Sequence, residues 1–144
     1  MAKASSKRAQ PSRRKSRQIA LSLLYSVEFA SQESYPEKGG RTGKLIRRDE
    51  ADDAYAGHLF EGVCGDLETI DKRIKDCSHH WRLERMSLID RNIMRIGVFE
   101  ILEKQVPIEV VINEAVEIAK IFGDSKSGAF VNGILDAIAK ALDK

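Results

Sequence analysis

The residues best suited to chemistry in this sequence are the cations crowded near its N-terminal end. Seven of the 24 Lys and Arg residues lie within residues 1–27, and no acid precedes Glu28. This segment therefore carries a formal charge of +7, whereas the remainder, with 17 cations and 22 acids, carries −5. A block of like charge repels itself and commonly serves as an arm that binds a polyanion. The candidate polyanions are a nucleic acid and an anionic membrane surface.

The basic segment runs directly into an amphipathic helix, predicted from about Arg13 to Gln32 because apolar residues recur there every three or four positions. Planar guanidinium groups suit phosphate and stack on bases, whereas lysine alone would have served solubility. A solubilising tail is the alternative interpretation of such a charge block. Attachment to a folded helix favours binding, so we expect the arginines of the first turns, which are Arg13, Arg14 and Arg17, to contact a nucleic acid.

No motif in the sequence assembles a catalytic or metal site. Cys64, Cys77, His79 and His80 lack the paired spacings of zinc ligands. The glycine-rich phosphate loops and the G-x-S-x-G nucleophile motif are missing from the sequence. We therefore expect a protein that is not an enzyme, with no metal and no cofactor, and interpret Cys64 as a small core residue.

The acids and polar residues of the C-terminal helices are interpreted as surface or bridging groups. Glu100 is expected on a solvated face, paired with Lys104 at i,i+4. Arg95, Asn113 and Glu114 are expected to bridge neighbouring helices. No nucleophile, base and orienting group can be assembled from these spacings, which again argues against catalysis.

No stretch of the sequence predicts insertion into a membrane. No apolar run approaches the ~18 residues that a membrane-spanning helix requires. The basic N-terminal segment also lacks the apolar stretch of a secretory signal peptide. These observations predict a cytoplasmic protein without a membrane partner.

The elements that must position these residues are predicted to be helices. Hydrophobic residues make up 42% of the chain and aromatic residues only 6%, a balance that is typical of an aliphatic helical core. A disordered basic tail is expected over residues 1–12. Beyond the first helix, a loop containing Pro and Gly is expected over 34–44, followed by one long helix over about 48–76.

Three further helices are predicted in the C-terminal half of the chain. A capping pattern at Ser87 opens the first, Pro107 opens the second, and the third contains the Asn132-Gly133 pair. A glycine within a helix costs ~1 kcal/mol relative to alanine, so close approach of neighbouring helices is the expected compensation. The glycines concerned are Gly57, Gly62, Gly65, Gly97 and Gly133.

Three stretches of the sequence match one known pattern. They are RRKSRQIALSLLYS over 13–26, IDRNIMRIGVFEIL over 89–102 and VPIEVVINEAVEIAKIFGDSKSGAFVNGILD over 106–136. The last contains the series VP…INEA.E.AK.FG….FVNG.LD, which is typical of the NusB family of bacterial transcription antitermination factors. The sequence resembles that family over both ends of the chain, whereas residues 33–86 match only in helical character and in the Gly62-Val63 pair.

The resemblance implies both a fold and a function. The implied fold is all-α, a compact bundle of about seven helices in two small subdomains, forming a single domain over residues 13–144. The implied function is to bind the single-stranded boxA element of ribosomal RNA transcripts together with NusE, a small-subunit ribosomal protein. The pair helps to build an antitermination complex on RNA polymerase, and such a protein is a monomer or a homodimer.

Three other functions stay open at this point. One is a helical adaptor that binds proteins without RNA. Another is an RNA-binding module related to the N-terminal domain of ribosomal RNA methyltransferases. The last is a DNA-binding helix-turn-helix protein, for which duplex DNA would compete equally with single-stranded RNA.

The resemblance also carries individual residues over to this sequence. The arginine-rich start of the family, which is expected to contact RNA, corresponds to Arg13, Arg14, Lys15 and Arg17. The phenylalanine of its F-V-N-G motif, implicated in RNA contact, corresponds to Phe130. Two residues associated with the NusE interface correspond to Tyr25 and Asp90. Where the family usually has an acid four positions before the phenylalanine and often a lysine just before it, this sequence has Lys126 and Ala129.

Lys126 and Phe130 are i,i+4 neighbours on a predicted helix and therefore share one face. We hypothesise that Lys126 replaces the missing cation and contacts phosphate beside a stacking ring. The first helix and Phe130 are expected to line one common groove for an unpaired strand. Alanine at Arg13, Arg14 and Arg17 is expected to flatten the salt dependence of RNA binding while leaving the fold intact.

Overall fold

The computed structural model describes residues 12–32 and 53–143, which form α-helices joined by short connections. No strand occurs within these two ranges, so the predicted all-α class is confirmed, with six α-helices there and about seven expected for the whole chain. A short 3-10 helix, Leu83–Arg85, lies between the third and fourth. The helices are α1 Arg13–Gln32, α2 Ala54–Gly65, α3 Leu67–Cys77, α4 Leu88–Glu103, α5 Ile108–Phe122 and α6 Ser127–Leu142.

Some sequence-based predictions fall outside the described residues. The disordered tail predicted over 1–12 lies outside them except for Ser12, and the loop predicted over 34–44 lies outside them entirely. The beginning of the helix predicted over 48–76 lies there as well.

The helix predicted over 48–76 is two helices where the structure describes it. Asp66, between α2 and α3, has φ −120° and ψ 28°, which interrupts the helical backbone. Glycine and aspartate are weak helix formers, and here Gly65 and Asp66 stand side by side. The apolar spacing continues through the break, which is why the sequence pattern predicts one helix.

Helix α4 is the centre of the fold and packs against each of the other five helices. It begins after Ser87, whose Oγ accepts a hydrogen bond from the Asp90 backbone N–H at 3.0 Å, as the capping pattern predicted. One main hydrophobic core connects all six helices, so the two subdomains implied by the resemblance share it. Examples of its buried side chains, in chain order, are Leu24, Leu59, Ile70, Met94, Ile118 and Leu135.

Helix α1 runs antiparallel to α4, and polar contacts at both ends fix this arrangement. Near the start of α1, Arg17 Nε lies 2.8 Å from Glu100 Oε1, close to the end of α4. Near the end of α1, Glu28 Oε1 accepts from Asn92 Nδ2 at 3.0 Å, close to the start of α4. The basic start of α1 is thereby placed at the C-terminal end of α4.

Close helix packing explains only two of the five glycines that the sequence placed within helices. A Cβ at Gly62 of α2 would overlap the Phe99 ring of α4, and a Cβ at Gly97 of α4 would lie 2.9 Å from Leu135 Cδ1 of α6. The expectation is wrong for the others, because no neighbouring heavy atom lies within 4 Å of a Cβ built at Gly57, Gly65 or Gly133.

Candidate nucleic-acid interface

Arg17 is buried between helices, with only 4% of the residue exposed. Its Nε and Nη2 donate to the two carboxylate oxygens of Glu100 at 2.8 and 2.9 Å. The Tyr55 hydroxyl also donates to Glu100. Burial, together with this hydrogen bond, raises the pKa of Tyr55, so the hydroxyl remains a donor. This placement contradicts the predicted phosphate contact of Arg17, which instead anchors α1 to α4.

Glu100 is likewise not the solvated surface acid that its sequence neighbourhood suggested. It is 1% exposed, because other helices pack against α4. A buried carboxylate is costly unless it is paired and hydrogen-bonded. Arg17 and Tyr55 provide that pairing, so the first turns of α1 are tied to the core by charge.

Arg14 lies on the surface, paired with an acid of α5. Its Nε and Nη2 lie 2.8 and 2.9 Å from the two carboxylate oxygens of Glu114. The hydrogen bond from Arg14 is the main cause of a lowered pKa at Glu114. Exposed ion pairs contribute little stability and are screened by salt, so phosphate can replace Glu114 as the partner of Arg14.

Arg13 and Lys15 are exposed beside Arg14. The guanidinium carbon of Arg13 lies 3.7 Å from the centroid of the Tyr55 ring, a cation–π contact that holds the side chain in place. The α1 patch, defined as Arg13, Arg14 and Lys15, therefore presents three cations at one end of α1. The buried Arg17–Glu100 pair lies in the same turns and supports it.

Phe130 and Lys126 line an open cavity of about 770 Å³ between α6, the 3-10 helix and the start of α4. The Phe130 ring is partly buried and meets the exposed Trp81 ring edge-on, with centroids 6.3 Å apart. Lys126 is exposed. The structure therefore brings Lys126 and Phe130 together on one wall, as the i,i+4 spacing predicted.

The α1 patch and this cavity lie at opposite ends of α4. Arg17 contacts Glu100, whereas Asp90 lines the cavity, and ten residues of helix separate these two positions by about 15 Å along the axis. No cation of α1 lines the cavity. The single common groove predicted for the arginines and Phe130 is therefore wrong, because α1 runs antiparallel to α4.

The two residues carried over as a protein interface have different surroundings. Tyr25 is exposed on α1 and its ring stacks on that of Phe29, with centroids 6.0 Å apart and planes 10° apart. Exposed aromatic pairs of this kind suit a protein partner. Asp90 is buried and lines the Phe130 cavity, so the structure groups it with the residues predicted to contact RNA.

Trp81 and Arg85 also line the cavity and were not predicted from the sequence. Both lie in the connector before α4, whose match to the family pattern is weak. The available signal was an isolated tryptophan within a polar connector, which tertiary packing leaves exposed rather than buried.

Other polar residues of the sequence are structural or isolated. Arg95 of α4 pairs with Asp71 of α3 at 2.8 Å and with Glu28 of α1 at 3.0 Å, so it bridges helices as predicted. Glu114 also bridges helices as predicted, because it joins α5 to α1. Asn113, which was expected to do the same, is exposed. Cys64 is exposed and is not the core residue expected. Within residues 12–32 and 53–143, no group of three or more His, Cys, Asp or Glu residues is placed to hold a metal ion.

None of the helices that the structure describes is both long and apolar enough to cross a membrane.

Comparison with known proteins identifies the family. Residues 14–140 match the profile of the NusB family. The chain is 43% identical over 136 residues to the transcription antitermination protein NusB of Myxococcus xanthus strain DK1622, covering 92% of this chain and 97% of that protein. The structure is similar to that of T. maritima NusB, with a TM-score of 0.76 at 36% identity, covering 91% of this chain and 92% of that chain. It is also similar to a crystal structure of the antitermination factors NusB and NusE in complex with double-stranded RNA, with a TM-score of 0.72 at 28% identity. That match covers 90% of this chain and 96% of the other chain. The chain belongs to the NusB family.

Proposed function

We propose that this protein is a transcription antitermination factor that binds the single-stranded boxA element of ribosomal RNA transcripts together with NusE. The pair helps to build an antitermination complex on RNA polymerase in the cytoplasm, and the protein is not an enzyme. The observation that carries the proposal is the family match over residues 14–140, whose relatives are transcription antitermination proteins. A related structure holding NusB, NusE and RNA supports both partners.

RNA binds at two places on this surface. The α1 patch contacts phosphates at one end of α4, and Lys126 does so beside the Phe130 ring at the other. Each phosphate neutralised on a single strand contributes about −0.7 to the slope of log affinity against log salt. Four such contacts give a slope of about −3. A base stacked on Phe130 adds ~1–3 kcal/mol.

NusE binds the exposed aromatic pair of Tyr25 and Phe29 in this proposal. Aromatic residues are enriched in protein interfaces because they bury a large rigid area. The pair lies on α1, the same helix that presents the α1 patch, so one helix contributes to both partners. Sedimentation of the chain alone tests whether it also forms the homodimer that the resemblance allows.

The test is a titration of boxA RNA across salt concentrations, with and without NusE. Replacing the α1 patch with alanine (Arg13, Arg14 and Lys15) is expected to weaken binding and bring the salt slope from about −3 to about −1. Arg17 is kept, so circular dichroism should show an unchanged fold. Loss of the same charge elsewhere, through alanine at the exposed Lys72, Lys75 and Lys140, is expected to change the slope little.

Two results would overturn the proposal. One is wild-type affinity and slope in the α1-patch variant. The other is an absence of salt-dependent RNA binding with NusE binding retained, which would identify a protein adaptor. Duplex RNA of the same sequence and duplex DNA serve as competitors, because the related complex contains double-stranded RNA. Equal competition by duplex DNA would favour a DNA-binding protein.

A further inference from the structure

The cavity beside Phe130 is lined by a carboxylate that the protein leaves partly unsatisfied. Asp90 is 8% exposed, and its Oδ1 is buried without a hydrogen-bond partner among the described residues. Burial raises the pKa of Asp90, and the nearby hydroxyls of Ser87 and Ser127 oppose that rise only in part. A buried acceptor without a partner destabilises the protein. A ligand that donates a hydrogen bond here would remove that cost.

The second acid on this wall is already used by the protein. Asp124 Oδ1 accepts from the Lys126 backbone N–H at 2.8 Å and from the Ser127 hydroxyl at 3.3 Å. It therefore stabilises the start of α6. Of the two acids, Asp90 is the one with a buried oxygen that has no hydrogen-bond partner in the described part of the chain. The terminal torsion of aspartate is soft enough to turn Oδ1 toward the cavity.

The rest of the cavity has the features of a nucleotide site. Trp81 and Phe130 offer aromatic faces on which an unpaired base can stack. Arg85 and Lys126 are exposed cations within reach of the phosphates that flank such a base. The volume of about 770 Å³ accommodates one nucleotide, since small-molecule sites occupy roughly 300–1,000 Å³.

We propose that this cavity selects a base that carries an exocyclic amino group, which donates a hydrogen bond to Asp90. The inference rests on the proposed RNA-binding function and adds the identity of the base. Cytosine presents an amino donor at the position where uracil presents a carbonyl oxygen. A carboxylate accepts from the amino group and repels a carbonyl oxygen at the same position, so uracil binds more weakly there although it stacks equally well.

This assignment moves Asp90 from the NusE interface, which the family resemblance implied, to the RNA-binding surface. The reason is its burial in the wall that also contains Phe130, and not on the exposed part of α1 that carries Tyr25. The two assignments make different predictions for a variant at this position, so one set of titrations separates them.

The experiment compares short single strands that differ in one amino group. A strand of about 12 uridines is titrated against the full chain by fluorescence anisotropy, and a single cytidine is then moved along it. Wild-type protein is expected to prefer cytidine at one position by roughly tenfold. N4,N4-dimethylcytidine at that position keeps the ring and removes both donors, so it is expected to bind as weakly as uridine.

Asp90→Asn is expected to abolish or reverse the preference, because an amide can donate to the uracil carbonyl. Asp136→Asn, the same change at a partly exposed site on α6, is expected to retain it. Lys126→Ala should weaken both strands equally. A cytidine preference that survives in Asp90→Asn, or a dimethylated base that binds like cytidine, would refute the proposal.

Altered NusE affinity with an unchanged base preference in Asp90→Asn would also refute it and return Asp90 to the protein interface. The modified-base comparison uses wild-type protein, so it stands even where Asp90→Asn fails to fold. Failure of the proposed function appears differently, as a loss of RNA binding for every strand. RNA binding without a base preference contradicts only the selection of a base by Asp90 and leaves the proposed function standing.

Discussion

Arg13, Arg14 and Arg17 are separated by no more than four positions, yet each has a different partner. Arg13 lies over the Tyr55 ring, Arg14 pairs with Glu114 on the surface, and Arg17 is enclosed with Glu100. Successive positions on a helix point in directions about 100° apart, so neighbouring cations face different surroundings. The capacity of each cation to bind RNA therefore depends on its partner rather than on its type.

Glu114→Gln is expected to release Arg14 and tighten RNA binding by roughly two- to fivefold at low salt. The wild-type pair competes with phosphate at neutral pH, because pairing lowers the pKa of Glu114 and keeps it ionised. The competition is lost only as the pH falls through that lowered value, where Glu114 takes up a proton. Anisotropy titrations at several pH values measure both effects.

Glu109→Gln is the matched control, since Glu109 is an exposed acid on the same helix. It changes the net charge equally and is expected to alter RNA affinity much less. Equal tightening by both variants would show that net charge is responsible and that Arg14 is not restrained by its partner.

At the scale of the helices, the Arg17–Glu100 contact joins two elements that are 83 positions apart along the chain. It sets the position of the start of α1 on the end of α4. The hydrogen bond between Glu28 and Asn92 likewise fixes the end of α1 against the start of α4. The surface presented by α1 is thus held in place by the packing of α4, which is buried almost throughout.

Arg17→Ala is expected to destabilise the fold by ~3–5 kcal/mol, because it leaves Glu100 buried without its charged partner. Lys15→Ala, two positions away and exposed, is expected to change stability by no more than about 0.5 kcal/mol. Urea denaturation followed by circular dichroism measures both. A small effect of Arg17→Ala on stability, combined with weakened RNA binding, would restore Arg17 to the RNA surface.

This result also revises the expectation that alanine at Arg13, Arg14 and Arg17 leaves the fold intact. That combination removes two surface cations and one buried cation. Weakened RNA binding in such a variant would report partial unfolding together with lost contacts. The α1-patch variant avoids this ambiguity because Lys15 takes the place of Arg17.

At the scale of the whole molecule, the RNA-binding surface proposed above has two parts, which lie beside positions of α4 about 15 Å apart along its axis. One part is electrostatic, at the α1 patch, and the other combines cations with aromatic rings at the cavity. A strand that reaches only one part gains only that part of the binding free energy. Affinity should therefore depend on strand length more than a single compact groove would require.

Binding of a strand of about 12 nucleotides is expected to be weakened by both Arg13→Ala and Lys126→Ala. A strand of about three nucleotides is expected to be sensitive to one of these changes and not to the other, with a salt slope reduced to about half. Titrating both strands against both variants measures this difference. Sensitivity of the short strand to both changes would place the two cations at one common site.

Local spacing and contiguous motifs were enough to predict the helical class, the cap at Ser87, the basic start of α1 and the family. The pairing of Lys126 with Phe130 was equally predictable, since both lie one turn apart on a single helix. Periodicity identifies which side of a helix is apolar. It does not identify which distant segment covers that side.

The burial of charged residues and the grouping of predicted contacts depend on how distant segments pack, so they became known only from the folded structure. Glu100 is in the core because α4 is surrounded, and Arg17 follows it there as its partner. Asp90 and Trp81 meet Phe130 because α6 packs beside the start of α4. These outcomes depend on contacts between residues tens of positions apart, which the free energy of packing the whole chain selects and no local pattern contains.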